Sequence, residues 1–93
     1  MVYVKIHKSI VAVCDEELIG KEFKEGKLSL KVSERFYKGE KKSEEEVKDI
    51  IMNATNLNIV GKKSIKIALD LGIINKDSII TIKDIPHAQI ISF

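Results

Sequence analysis

The chain has 93 residues, of which 44% are hydrophobic and 32% charged, and its formal net charge at pH 7 is +2. These values exclude an intrinsically disordered chain, and no apolar run approaches the roughly 20 residues that a transmembrane helix needs. The length suits a single domain over residues 1–93. Since the first residues lack a signal-peptide pattern and Cys14 is the lone cysteine, we expect a protein of a reducing, cytoplasmic compartment.

The first two predicted elements are strands joined by a tight turn. Apolar and polar residues alternate over residues 2–7, and a second apolar run covers residues 10–14. Lys8 and Ser9 between them predict a hairpin turn. Asp15 then precedes two Glu residues, which predicts that it is the N-cap of a short helical turn ending at Gly20.

The middle of the chain predicts one strand, one polar loop and one helix. Leu28, Leu30 and Val32 alternate with polar residues and predict a strand, whereas residues 34–42 are mostly polar and predict a mobile loop. Ser43 and Glu46 have capping-box spacing before apolar residues at helical intervals, so an amphipathic helix is expected there. Residues 57–60 are too short a run to assign.

The last third predicts a second main helix between Gly61 and Gly72, followed by closing strands over residues 79–82 and 88–93 with a loop at 83–87. Strands therefore lie mostly at the ends of the sequence and helices in its middle. This order predicts an α+β fold, a two-layer sandwich of a mostly antiparallel sheet with two main helices and one short helical turn.

Three residues are candidates for catalysis. Cys14 lies at a strand end just before the predicted helical turn, where a thiol can be activated, although the neighbouring carboxylates oppose this effect. His87 follows Pro86, whose fixed φ would present the imidazole rigidly on the predicted loop. With Asp15 they supply a nucleophile, a base and an orienting carboxylate. The alternatives are a buried core cysteine, a helix cap and a structural histidine.

A second group of residues is a candidate for binding. Lys62, Lys63 and Lys66 lie at the start of the second main helix, where cations and free backbone N–H groups favour an anion, and an ordinary solvated helix start is the alternative. Gln89, two residues after His87, is assigned to the same binding set. The spacing of His and Cys residues contains no zinc signature, so we predict neither a metal site nor a cofactor.

Four segments of the chain carry a resemblance to known proteins: Val11–Lys21, Val32–Tyr37, Asn58–Gly61 and Ile85–Ile90. Together they resemble an archaeal family of small proteins known as domain of unknown function 424 (DUF424). The resemblance implies a small archaeal cytoplasmic protein with an α+β sandwich, and it brings no assigned activity or site residues. It draws attention to Cys14, Asp15 and His87 because they lie within the matching segments.

Two functions follow as hypotheses. The first is a non-catalytic binding module for RNA or a ribonucleoprotein, which the slight basic excess and the three lysines favour. The alternative is a small enzyme or metal-dependent protein that uses Cys14, Asp15 and His87. Either would be compatible with a homodimer in which the apolar C-terminal strand, residues 90–93, pairs across a twofold axis.

Overall fold

The computed structural model describes residues 1–91, which form eight strands and three helices. The helices are α1 (Glu34–Tyr37), α2 (Glu44–Met52) and α3 (Lys62–Asp70). Short 3-10 turns occupy Glu16–Leu18 and Lys76–Ser78. The strands are β1 (Val2–His7), β2 (Ile10–Asp15), β3 (Glu22–Glu25), β4 (Leu28–Lys31), β5 (Glu40–Lys42), β6 (Asn56–Val60), β7 (Ile80–Ile82) and β8 (Ile85–Ile91).

Six of these strands form one sheet, in the spatial order β5-β1-β2-β6-β8-β7. Neighbouring strands are antiparallel except β2 and β6, which run parallel. A parallel pair needs a long crossover connection, and the chain between β2 and β6 provides it. The α+β class, the mostly antiparallel sheet and the two main helices are therefore confirmed.

Helices α2 and α3 cover one face of the sheet. Alternation along the strands sends Val13 and Ile59 to this face, where they pack with Val47 and Ile51 of α2 and Ile65 of α3. All five are almost completely buried. The capping box predicted at Ser43 and Glu46 is present, so α2 begins where its local sequence indicates.

The opposite face is covered only in part. The β3–β4 hairpin and α1 pack there around Cys14 and Val60, with Leu30, Val32 and Tyr37 buried beside them. This smaller second core adds a partial third layer to the predicted sandwich. The remainder of this face, over β6 and β8, is less covered and carries polar side chains.

The prediction of a loop over residues 34–42 is wrong, because this segment contains α1 and β5. Ser33 begins α1 by accepting a hydrogen bond from the backbone N–H of Phe36. β5 is an edge strand of three polar residues, so it lacks the alternation that marks a half-buried strand. β3 was missed for the same reason, since only Phe23 among its four residues is apolar.

The prediction of a loop over residues 83–87 is also wrong. Only Lys83 and Asp84 form the turn, both with positive φ (51° and 64°), and β8 begins at Ile85. His87 consequently lies within a strand, between Val60 and Ile80 of the adjacent strands.

Two expectations about partners remain. Residues 92 and 93 of the proposed dimer strand lie outside the described residues, and the homodimer stays a prediction that light scattering at micromolar concentration would test. No helix within residues 1–91 is long and apolar enough to cross a membrane.

Candidate functional site

The structure separates the three predicted catalytic residues. Cys14 and Asp15 are consecutive in β2, so their side chains point to opposite faces of the sheet. His87 shares the face of Cys14, but Val60 of β6 lies between them in the register. Two strand spacings therefore separate the Cys14 and His87 backbones by roughly 10 Å.

Asp15 caps α3 and not the 3-10 turn that directly follows it. Within residues 1–91 the turn receives no side-chain cap, whereas the Asp15 carboxylate accepts hydrogen bonds from the backbone N–H groups of Lys63 (3.0 Å) and Ser64 (2.9 Å). The Ser64 hydroxyl donates a third bond, at 2.7 Å. Gly61 makes this approach possible, because a Cβ there would overlap the carboxylate and its φ is +108°.

This cap limits how the start of α3 could bind an anion. Two of the backbone N–H groups at the start of α3, those of Lys63 and Ser64, already donate to Asp15, so an external anion would depend mainly on the lysine side chains. The side chains of Lys62, Lys63 and Lys66 are exposed, on the helical side of the sheet. Gln89 lies on the opposite face, so the predicted binding residues form two separate groups.

The Cys14 thiol is held in its neutral form. The side chain has no exposed surface, and burial, with the charges of Asp15 and Glu17, raises its pKa from 9.0 to about 12. Desolvation thus opposes the lowering of the thiol pKa that the position of Cys14, at a strand end before a helical turn, suggested. Within residues 1–91, no three His, Cys, Asp or Glu side chains come together as metal ligands.

His87 belongs to a hydrogen-bonded cluster with Tyr37 and Asn58. Asn58 Oδ1 accepts from the Tyr37 hydroxyl at 2.5 Å and from His87 Nε2 at 2.9 Å. Since a carbonyl oxygen only accepts, Nε2 carries the hydrogen, and Nδ1 of the neutral ring is left as an acceptor. Both lone pairs of Asn58 Oδ1 are used, which fixes the orientation of the amide and leaves its NH₂ group as a donor.

Asn58 lies directly opposite Gln89 in the β6–β8 register. Asn58 is half-buried and Gln89 is exposed, so the two amides lie side by side on the less covered part of the sheet. Asn56 is on the same face two residues earlier, and its Oδ1 is buried with no hydrogen-bond partner within residues 1–91. We name this surface the polar face: Asn56, Asn58, His87 and Gln89.

The boundary of the polar face is formed by α1 and β1. His7 of β1 stacks on Phe36 with ring centroids 4.7 Å apart, and its Nε2 bonds the Phe36 carbonyl at 2.8 Å. Lys5 Nζ donates to the Arg35 carbonyl at 2.6 Å. These bonds attach α1 to the sheet. The strand register places Lys5 in the row that runs through Ala12 to Asn58.

The sequence alone does not single out Asn58, because residues 57–60 are too short a run to assign to a strand. The signal was the alternation of Asn56 and Asn58 with Leu57 and Ile59, which predicts a strand with one polar face. Polar side chains in a central strand indicate a surface that the rest of the fold leaves partly open.

The pH dependence of stability tests the state of His87. Burial lowers its pKa below the ordinary value of 6.5, so the unfolded chain binds its proton first as the pH falls. The contribution of neutral His87 to the free energy of unfolding is complete above pH 6.5, and it is lost as the pH falls through the folded-state pKa of His87. We expect urea unfolding between pH 7.5 and 5 to show a slope of at most about 1.4 kcal/mol per pH unit from this group, which His87→Gln removes. An unchanged slope in His87→Gln would contradict this assignment.

Comparison with known proteins identifies the family. The profile of a family described as "Protein of unknown function (DUF424)" matches residues 4–93, so the chain belongs to this family and the resemblance is confirmed. The chain is also similar to an uncharacterized conserved protein from Methanopyrus kandleri, whose crystal structure matches with a TM-score of 0.77 and 25% sequence identity. The match covers 99% of this chain and 93% of the other. No curated protein matches the chain.

Proposed function

Starting from this family membership, we propose that the protein is a non-catalytic binding module for single-stranded RNA and that the polar face contacts the bases. The observation that carries the proposal is the cross-strand pair of amides, Asn58 and Gln89, on the less covered part of the sheet. Side-chain amides hydrogen-bond to base edges, and single strands leave those edges accessible.

The orientation of Asn58 supports this role. Its oxygen is occupied by Tyr37 and His87, so its NH₂ group is the part that a ligand would meet. The Gln89 side chain forms no hydrogen bond within residues 1–91, so its amide can supply both a donor and an acceptor. A base that presents one acceptor and one donor side by side would be complementary to the pair.

The charges around the polar face also favour an anionic polymer. Lys5 occupies the same sheet row as Asn58, and Arg35 lies on the adjoining helix α1. None of the four residues of the polar face is acidic. Because only about two cations could reach phosphates, we expect a shallow dependence of log Kd on log salt, with a slope magnitude of about 1.4.

We expect Gln89→Ala to weaken binding of a fluorescently labelled single-stranded RNA about tenfold, and Asn58→Ala/Gln89→Ala to weaken it further. The reason is the loss of base hydrogen bonds, each of which contributes about 1 kcal/mol or more. Fluorescence anisotropy at low salt measures the affinity. Gln89 is exposed, so its truncation leaves the fold intact.

The matched control replaces Lys62, Lys63 and Lys66 by Glu on the other side of the sheet. This control tests the lysine surface predicted from the sequence as the competing site. If the lysine variant abolishes binding while Gln89→Ala does not change it, the lysines are the RNA site and the polar face is not. Absence of binding by the wild-type protein at low salt would overturn the RNA proposal as a whole.

A further inference from the structure

A second surface, separate from the polar face, lies on the helical side of the sheet. It is a cleft of about 390 Å³ between the start of β1, the start of α2 and one side of α3. This volume is within the range of small-molecule sites, at its lower end. We name it the lysine cleft, and the residues that decide its chemistry are Met1, Val2, Glu44, Lys63, Lys66 and Ile67.

The inner wall of the lysine cleft is apolar and firmly held. Val2 and Ile67 are 3% and 4% exposed and belong to the main core, so the surface they offer is set by packing. Met1 is 57% exposed and can lie over the side of a bound molecule. An apolar body of a ligand would therefore meet two rigid aliphatic side chains and one adaptable one.

The charges of the lysine cleft have a positive excess. Lys63 forms no ion pair within residues 1–91. Lys66 is 3.8 Å from Asp70, and its side chain is 76% exposed, so this pair is weak. Within residues 1–91, Glu44 is the one carboxylate that lines the cleft. Glu16, which does not line it, lies 3.7 Å from the Met1 ammonium.

We propose that the lysine cleft binds a small organic anion with an apolar body. The acid group would pair with Lys63, with Lys66 as the second cation, and the body would lie against Val2 and Ile67. This site is argued from the side chains that line the cleft and not from the helix N-terminus, where the N–H groups of Lys63 and Ser64 already donate to Asp15. It is also separate from the polar face, because it lies on the opposite side of the sheet.

The test uses 8-anilinonaphthalene-1-sulfonate, an aromatic sulfonate, as the probe for the full chain. We expect its amide chemical-shift changes to cluster at Val2 and residues 63–67 in a ¹H–¹⁵N titration. Lys63→Ala/Lys66→Ala should raise Kd about tenfold, since the charge pairs of both lysines with the sulfonate are lost. Both side chains are exposed and the backbone N–H of residue 63 is retained, so the cap on α3 persists in this variant.

Two controls separate this site from general hydrophobic binding. Lys62→Ala removes a charge from the same helix outside the cleft, and we expect Kd to change less than twofold. The uncharged analogue N-phenyl-1-naphthylamine should bind about tenfold more weakly than the sulfonate. The proposal is overturned if the shifts occur elsewhere, if the double lysine variant binds unchanged, or if the neutral analogue binds as tightly as the sulfonate.

Discussion

Asp15→Ala is expected to lower the free energy of unfolding by about 3 kcal/mol. The substitution removes three hydrogen bonds to a buried carboxylate and leaves the Ser64 hydroxyl and two backbone N–H groups without their acceptor. It also removes the only side-chain cap that α3 has within residues 1–91. Urea unfolding at neutral pH measures the effect.

Two further variants isolate the cause of the stability loss expected for Asp15→Ala. Asp15→Asn keeps one oxygen acceptor but turns an amide NH₂ toward a backbone N–H, so we expect a loss of about 2 kcal/mol. Glu17→Ala removes an exposed carboxylate two residues later and should change stability by less than about 0.5 kcal/mol. A loss below 1 kcal/mol for Asp15→Ala would show that water replaces the carboxylate and that the cap is not a main support of α3.

The two helix caps show what the sequence could predict. The partners Ser43 and Glu46 are three residues apart, so their spacing is visible in the sequence and the capping box is confirmed. Asp15 had an equally plausible local partner in the turn that follows it. Its real partner, Ser64, is 49 residues away and comes close only because β2 and β6 run side by side. A local pattern cannot report that proximity.

The candidate site was predicted only in part, for similar reasons. His87 and Gln89 are both candidates from the sequence, and Gln89 falls in the strand predicted over residues 88–93. His87 falls in the loop predicted over residues 83–87, which contains Pro86, a residue type that is normally excluded from sheet interiors. In the structure Pro86 pairs with Thr81, and its carbonyl accepts from Gly61. Tyr37, which fixes Asn58 from outside the sheet, lay in the segment predicted to be a loop. Clusters built across elements become visible only when the topology is known.

Cys14 is expected to react with 5,5′-dithiobis(2-nitrobenzoate) at least about 1,000-fold more slowly in the native protein than in the urea-unfolded chain. A pKa raised from 9.0 to about 12 lowers the thiolate fraction near neutral pH by about three orders of magnitude, and complete burial also excludes the reagent. The rate of thionitrobenzoate release measures the difference. As a matched control, Cys14→Ser/Ser29→Cys places a thiol on exposed β4 and should react at close to the unfolded rate.

The predictions for the stability of Asp15→Ala and for the reactivity of Cys14 constrain each other. If the native thiol reacts only when the protein opens, its rate follows the stability of the fold. Asp15→Ala would then accelerate the reaction about a hundredfold, the factor that corresponds to about 3 kcal/mol. A fast native reaction that Asp15→Ala leaves unchanged would instead mean that Cys14 is accessible in the folded protein. That result would favour the alternative enzymatic function, in which Cys14 acts as a nucleophile.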